Sequence, residues 1–480
     1  MRWPCRFAAL LLVALTGAMA RADPDTDAAA SPPGSNTIRQ TLAAARDRYF
    51  RLMEDGRNAD AAAAGQEVLA LTGQLYGADS LELASPLTNL ATAELRSGDL
   101  QAAEANYQAA IALLDKRAGF LSPRLINPLV GLGETYVRSE QYPQATETYA
   151  RALRVNHVNE GFYNLEQMKI RDGLTEGYLG LQDLAKANFH QEAQLYVHKR
   201  KLGADNPELI EPLTKLGRWY DRSGQAESAR FAYQSAARLA ETTGGDNAPA
   251  LIEPMLAIAE TYRQQALLPP DPDSSQSPDT LLPLSGMMLR KALGILEQQQ
   301  PPDPAQRARV LVKLGDLYLL WDKRKTAADR YAEAWQALSS DPALKDQRDE
   351  YFAQPTRIAG PAAPRIFPVP LPKSPRLNRA DLEPGFVVLR FNVSPVGRVT
   401  DVTVVEADPA NLLEEQVSRA TRGTLFRPRY VDGAAVAAND LILRHEFRYA
   451  PRKLEKKDPP DGGDASPPLK EPSSDDNGGA

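Results

Sequence analysis

Residues 129–152 read LVGLGETYVRSEQYPQATETYARA. In the first half, apolar or small residues fall at positions i, i+3, i+4 and i+7, the spacing of one face of a helix. The second half carries another such stripe, made of alanines and one tyrosine. The residues of the two stripes are Leu129, Leu132, Gly133, Tyr136, Ala145, Tyr149 and Ala152. The stretch therefore predicts two packed helices joined by a short turn.

The same pattern recurs along the chain with a period of 42 residues. It is found at residues 87–110 and 213–236, and out of phase at residues 311–334. The unit at residues 171–194 keeps the phase but is degenerate, and the unit near residues 48–68 is weak. Because one helix pair cannot bury its apolar stripe alone, we expect consecutive pairs to stack into a solenoid.

These units resemble tetratricopeptide repeats. Their 42-residue form, with the connection LGADNP at residues 202–207, is similar to the repeats of kinesin light chains. The resemblance implies an all-α solenoid over residues 41–350, whose inner groove holds a peptide or protein partner. Residues 267–284 contain five prolines and are predicted to form a loop inside the sixth unit.

Three arginines occupy the same repeat position, two residues before the turn between the helices: Arg96, Arg138 and Arg222. A stacked series of guanidinium groups can bind carboxylates in bidentate fashion, so these residues are candidates for partner binding. The alternative is that each is a solvated surface residue or pairs with a nearby glutamate. The series is absent from the fourth unit, which has Gly180, and from the last, which has Leu320.

A change from helical to alternating periodicity marks a second module near the C-terminus. Residues 387–393 and 399–406 are predicted strands joined by a turn at Pro395-Val396-Gly397. Asp408-Pro409 is predicted to start a helix, and residues 441–449 alternate again as a last strand. The predicted apolar face of the helix is Leu412, Leu413, Val417 and Ala420.

Residues 375–449 resemble the C-terminal domain of TonB, the bacterial energy transducer. The motifs that carry this resemblance are VSPVGRV at residues 393–399, Pro409-Ala410-Asn411 and Arg427-Pro428. The Tyr-Pro pair of the family would fall near residue 375, where only the proline is present. The resemblance implies a small α+β TonB-C-like domain over residues 376–450.

Partner binding by such a module has a simple physical basis, because an open sheet edge presents unpaired N–H and C=O groups to a guest strand. We expect that edge at residues 430–438 and 439–449. His445 falls in the alternating apolar row of the last strand and is expected to have a packing role.

The N-terminus has the features of a signal peptide. Arg2 and Arg6 precede an apolar run at residues 7–20, and small residues offer cleavage sites after Ala20 or Ala22. The run is short for a transmembrane helix, and a buried N-terminal helix is the alternative. The sequence thus predicts export to the bacterial periplasm and no transmembrane segment in the mature chain.

Composition predicts the connections between these parts. Residues 1–22 are assigned to the signal peptide and residues 23–40 to a disordered linker. Residues 351–375 are rich in proline and predict an extended, semi-rigid linker that few contacts cross. Residues 451–480 lack aromatic side chains and are predicted to be a disordered tail.

The composition of the 480 residues also makes several functions improbable. With 56 Lys and Arg against 62 Asp and Glu, the net charge of −6 predicts no binding to nucleic acid. The single cysteine, Cys5, and four separated histidines offer no disulfide framework and no metal site. Because no catalytic motif is present, we expect no catalytic residue, no cofactor and no enzyme activity.

Together these patterns predict an exported scaffold for protein–protein interaction. The solenoid groove would bind a peptide or protein partner, and the TonB-like module would bind a partner by strand addition, with envelope proteins among the candidates. The alternative is a TonB-like energy transducer, or an accessory of transport through outer-membrane receptors. A retained apolar anchor would favour the alternative, whereas the predicted cleavage site argues against it.

Overall fold

The computed structural model describes residues 35–268, 277–367 and 382–450. The predicted signal peptide, most of the predicted linker at residues 23–40 and the predicted tail at residues 451–480 lie outside these ranges. The chain forms two compact units, one extending to Ala204 and the other starting at Asp205. The first unit is helical, and the second combines helices with strands.

Consecutive helices of the first unit pack in pairs, as the 42-residue pattern predicts. The first of them begins at Ser35, inside the stretch that composition predicts as a linker. Its buried residues include Leu42, Ala45 and Tyr49, which explains why this weak unit is still a repeat. The helices are α1 (Ser35–Glu54), α2 (Asn58–Tyr76), α3 (Ala84–Ser97), α4 (Leu100–Ala118), α5 (Ile126–Arg138), α6 (Tyr142–Glu160), α7 (Met168–Gly180) and α8 (Leu184–Leu202).

Glycine and tyrosine side by side make the close packing of these helices possible. A Cβ atom added to Gly133 would lie 2.7 Å from the ring of Tyr149, which is 4% exposed. The same ring would lie 2.1 Å from a Cβ atom on Gly173. Tyr149 therefore fills the space between its own helix pair and the next, as the small residues of the repeat predict.

The fourth unit, α7 and α8, fills the equivalent space with polar side chains. Gln191 stands 42 residues after Tyr149 and donates hydrogen bonds to Asp172 and Thr175, both at 3.0 Å. Arg171 is 8% exposed, and its Nε donates to Oε1 of Gln167 at 2.6 Å. The sequence identifies this unit as degenerate, and the structure shows that it is a complete helix pair with a hydrogen-bonded interior.

The second unit continues the repeat and carries the C-terminal module. The loop predicted at residues 267–284 is shorter than expected, because α12 begins at Pro278. Proline is tolerated at the first position of a helix, and Ser277 and Thr280 form a capping box there. The helices are α9 (Ile210–Arg222), α10 (Ala226–Gly244), α11 (Ile252–Ala266), α12 (Pro278–Glu297), α13 (Pro304–Leu320), α14 (Arg324–Ser339) and α15 (Lys345–Phe352).

The C-terminal module is a sheet with one helix against it. Its elements are β1 (Thr356–Ala359), β2 (Ile366–Phe367), β3 (Glu383–Val393), β4 (Val399–Asp408), α16 (Glu414–Arg422), β5 (Leu425–Arg427), β6 (Arg429–Val431), β7 (Ala434–Val436) and β8 (Ala438–Tyr449). The main sheet has the order β2-β8-β3-β4, with β3 antiparallel to both β8 and β4. Val387, Leu389, Leu413, Val417 and Phe447 form its core on the helix side.

The helix of this module starts later than the sequence predicts. Asp408 ends β4 and lies opposite Phe386 in the sheet, so it does not cap a helix. The helix begins at Glu414, and the predicted apolar face is nevertheless buried, with Leu413 and Val417 fully inaccessible. Strand pairing extends through residue 408 and delays the helix by one turn or more.

The module is joined to the last repeats by buried contacts, so the expectation that few contacts cross residues 351–375 is wrong. Arg427 forms a bidentate ion pair with Asp316 of α13, at 2.9 and 2.8 Å. Their side chains are 8% and 17% exposed. Tyr430 of β6 packs against Tyr331 and Phe352, with ring centroids 5.9 and 5.1 Å apart. The aromatic cluster removes these residues from water and shields the ion pair.

Candidate functional site

A groove of about 840 Å³ lies along the first unit, where α3, α5 and α7 are neighbours. Successive first helices of the repeat units supply its walls, so the 42-residue period places their polar side chains in register. Its polar and charged lining comprises Thr88, Asn89, Thr92, Arg96, Asn127, Glu134, Asn156, Glu160, Glu166 and Lys169. Carboxylates and cations are mixed, which suits a peptide better than a polyanion.

The base of this groove is held by a tyrosine. The ring of Tyr107 is 2% exposed and packs where Gly131 has no side chain. Its hydroxyl group lies 2.9 Å from Oγ1 of Thr92. Burial raises the pKa of Tyr107 to about 12, so the hydroxyl group stays neutral and keeps a hydrogen-bonding proton at the groove.

Asn156 also lines the groove and has an unsatisfied donor. The residue is fully buried, and its Oδ1 accepts a hydrogen bond of 2.9 Å from Asn164. Its Nδ2 has no partner among the residues that the structure describes. Buried polar groups are normally paired, so this amide is a candidate for a hydrogen bond to a ligand or a water molecule.

The three arginines of the predicted series have different surroundings. Arg96 is exposed and lines the groove. Arg138 donates a hydrogen bond to the backbone oxygen of Leu95 in the preceding repeat. Arg222, in the second unit, lies over the ring of Trp219 at 5.1 Å. Their role in partner binding stays a prediction, for which Arg96 has the most suitable position.

An aromatic surface of the first unit was not identified from the sequence. Phe162, Tyr163, Phe189 and Tyr196 line a cleft of about 460 Å³ between the α6–α7 connection and α8. Phe162 and Phe189 are 68% and 60% exposed. The available signal was a group of aromatic residues outside the buried positions of the repeat.

In the C-terminal module, the outer side of β8 has no strand beside most of its length among the residues that the structure describes, and we call this side the free edge. The described strands pair with its outer side only at Arg448 and Tyr449, which lie opposite β2. The backbone N–H of Arg448 donates outward to the oxygen of Arg365 at 2.8 Å. In an antiparallel strand, residues two apart point the same way, so the backbone groups of Glu446, Arg444 and Ile442 also point outward.

The second part of the predicted edge, residues 439–449, thus coincides with this free side of β8. The first part, residues 430–438, is not at the edge of the main sheet. Tyr430 is 4% exposed and belongs to the β6–β7 hairpin, which packs against the last repeats. His445 is half-buried opposite Val387, and its Nε2 lies 2.7 Å from the carbonyl oxygen of Pro364.

A shallow groove of about 640 Å³ accompanies the free edge on the face of the sheet away from α16. Its lining includes Arg365, Phe386, Arg444, Glu446 and Arg448. The guanidinium group of Arg444 lies over the ring of Phe386, 3.6 Å from its centroid. This contact holds a cation beside the unpaired backbone.

Within the ranges that the structure describes, no helix is long and apolar enough to cross a membrane. The same residues contain no group of three or more histidine, cysteine or acidic side chains placed to hold a metal ion. The grooves and the free edge are the candidate binding sites of the described residues.

Two family models match the chain. The tetratricopeptide repeat model matches residues 52–116, and the model of the Gram-negative bacterial TonB protein C-terminal domain matches residues 371–449. These matches confirm both resemblances deduced from the sequence. The chain combines a tetratricopeptide repeat solenoid with a small TonB-like module.

Three individual proteins are similar to parts of this chain. Protein TonB of Klebsiella pneumoniae is 29% identical over 110 residues, which are 23% of this chain and 44% of that protein. Kinesin light chain TPR-like repeats of Podosopora anserina are 17% identical, with a TM-score of 0.38 over 44% of this chain and 98% of that one. The C-terminal part of a TPR repeat-containing protein of Cytophaga hutchinsonii is 11% identical, with a TM-score of 0.39. This match covers 64% of this chain and 98% of that one.

Proposed function

We propose that this protein is an exported interaction scaffold of a bacterial envelope. The repeat groove binds one peptide or protein partner, and the C-terminal module binds another by adding a strand of that partner to its sheet. The free edge of β8 carries this proposal, because Ile442, Arg444 and Glu446 present outward backbone groups with no neighbouring strand among the described residues.

Strand addition can be tested in the protein itself, because the two sides of β8 differ. Arg444→Pro removes an outward N–H and leaves the bonds to β3 in place, whereas Leu443→Pro removes a bond to β3. Peptides selected from a displayed library on the full chain serve as the probe. We expect Arg444→Pro to keep its circular dichroism and lose peptide binding, and Leu443→Pro to unfold the module.

Unchanged peptide binding by folded Arg444→Pro would contradict strand addition at this edge. A matched control is Val405→Pro, in the strand at the opposite edge of the sheet. It should leave peptide binding unchanged if β8 accepts the guest strand.

The repeat groove is tested with the same library. If Arg96 binds a carboxylate of the partner, Arg96→Ala should lower the affinity for peptides that bind the groove of the first unit. The expected decrease is about ten-fold. Arg138→Ala is the matched control, because this side chain already binds the backbone oxygen of Leu95. Equal binding by both variants would assign Arg96 to the solvated surface.

Export is proposed from the predicted signal peptide and from the relationship to a TonB protein. Fractionation of cells that produce the full chain, followed by N-terminal sequencing, tests it. A periplasmic product that begins at Arg21 or Asp23 supports export. An unprocessed chain in the cytoplasmic fraction would contradict it.

A further inference from the structure

The two outer strands of the main sheet are not equally suited to a guest strand. The register between β3 and β4 shifts twice, between Val388 and Leu389 and between Arg390 and Asn392. The register between β3 and β8 is continuous from Glu383 to Phe391. Bulges twist an edge away from further pairing, and a regular strand is a template for it. The edge of β8 is therefore the better acceptor.

Along this edge, one row of side chains lies on the outer face of the sheet: Ile442, Arg444 and Glu446. Ile442 is 61% exposed, and the side chains of Arg444 and Glu446 are 50% and 78% exposed. The two charged groups lie 3.5 Å apart, and Arg444 is also held by the ring of Phe386. An apolar, a positive and a negative side chain thus follow each other at the free edge.

The other row faces the helix side of the sheet and includes Leu443 and His445. Leu443 is 39% exposed and lies opposite Leu389, which is fully buried. His445 is next in this row and is held by the carbonyl oxygen of Pro364. A guest residue beside Leu443 would extend the core of the module, so an apolar side chain is favoured there.

We infer that the guest strand is recognised by an alternating charge code. Its outer-face residues are basic opposite Glu446, acidic opposite Arg444 and apolar opposite Ile442, and its inner-face residues are apolar. This inference rests on the proposed strand addition and adds the class of peptide that the edge selects. Backbone pairing gives affinity for many peptide sequences, and the charges of Arg444 and Glu446 determine which of these sequences bind best.

The test uses two synthetic peptides. For an antiparallel guest, the code gives Thr-Lys-Val-Glu-Val-Ile-Thr, and exchanging the charges gives Thr-Glu-Val-Lys-Val-Ile-Thr. The full chain is compared with the Arg444→Glu/Glu446→Arg double variant by fluorescence anisotropy at low salt. We expect each protein to prefer its complementary peptide by about three- to ten-fold, with the preference lost in about 0.5 M salt. The reversed sequences test a parallel guest in the same way.

A matched control exchanges charges elsewhere on the module. Arg419 and Glu415 form an exposed pair on α16, 3.4 Å apart. The Arg419→Glu/Glu415→Arg variant should keep the preference of the unmodified protein. If both peptides bind equally to every variant, the charge code is wrong and strand addition stands. If the peptides bind and Arg444→Pro does not lower their affinity, the site itself is wrong and both proposals fail. Both proposals also fail if neither peptide binds.

Discussion

The third and fourth repeat units fill the same space with opposite chemistry. In the third unit, α5 and α6, Tyr149 lies against Gly133. In the fourth, α7 and α8, the equivalent pair is Gln191 and Thr175, joined by a hydrogen bond of 3.0 Å. A ring needs a glycine beneath it, whereas an amide needs a hydroxyl group within reach. The comparison teaches that the two partners of this contact must change together.

The polar interior of the fourth unit is also hydrogen-bonded to the connection between α6 and α7, which precedes the unit. Gln167 is fully buried, accepts from Arg171 and donates to the backbone oxygens of Phe162 and Asn164 at 2.8 Å. A buried guanidinium group is costly without such partners. The aromatic connection between α6 and α7 is thereby tied to the interior of the unit.

The largest effect on stability is expected from disrupting the contact between Tyr149 and Gly133 in the third unit. Tyr149→Gln places the residue of the fourth unit in the third, where the amide cannot fill the space between Gly133 and Gly173. We expect a loss of about 3–5 kcal/mol in the free energy of unfolding, measured by urea denaturation. Adding Gly133→Thr should recover at least about 1 kcal/mol. Strictly additive effects would contradict the idea of a coupled pair.

A pH dependence should distinguish the fourth unit from the third. Burial and the neighbouring charge of Arg171 lower the pKa of His190 to about 4 from 6.5. The unfolded chain therefore binds the extra proton first, so stability is expected to fall by up to about 3 kcal/mol as the pH drops from 6.5 to 4. His190→Gln should flatten this slope, as measured by urea unfolding at each pH. An equal slope in both proteins would contradict the assignment.

A smaller effect is expected from removing the amide of the polar pair. Gln191→Leu leaves Asp172 and Thr175 without this donor, and we expect a cost of about 1–3 kcal/mol in unfolding free energy. Gln101→Leu, at an exposed position of α4, is the control and should change stability by less than about 0.5 kcal/mol. A neutral or stabilising Gln191→Leu would show that the polar interior is not needed for the fold.

The smallest effect concerns the arginine position at the end of the first helix. In the third unit, Arg138 binds the backbone oxygen of Leu95, whereas the fourth unit has Gly180 beneath the ring of Tyr142. We expect Arg138→Ala to cost about 1 kcal/mol in thermal unfolding. Arg96→Ala should be close to neutral for stability. The reverse order would show that the groove arginine, rather than Arg138, supports the fold.

The repeat was predictable because its signal is local and recurs. Leucine stripes at helical spacing and Gly–Tyr pairs 16 residues apart define several helix pairs without knowledge of their neighbours. These Gly–Tyr pairs are Gly133–Tyr149, Gly217–Tyr233 and Gly315–Tyr331. The candidate site was only partly predictable. Arg96 was singled out from its repeat position, whereas the unsatisfied amide of Asn156 depends on a contact with Asn164 that no spacing reveals.

The sequence by itself determined the 42-residue repeat, the strand–strand–helix–strand order of the module and the apolar face of α16, because each depends on residues close together in the chain. Only the tertiary structure decided that Arg427 pairs with Asp316, 111 residues away, and that Tyr430 is buried rather than at an edge. It also decided that, among the described strands, β3 pairs with one side of β8 along its length and β2 with the other side at two residues only. These features depend on which surfaces meet after the helices and strands have formed, and local periodicity carries no information about that choice.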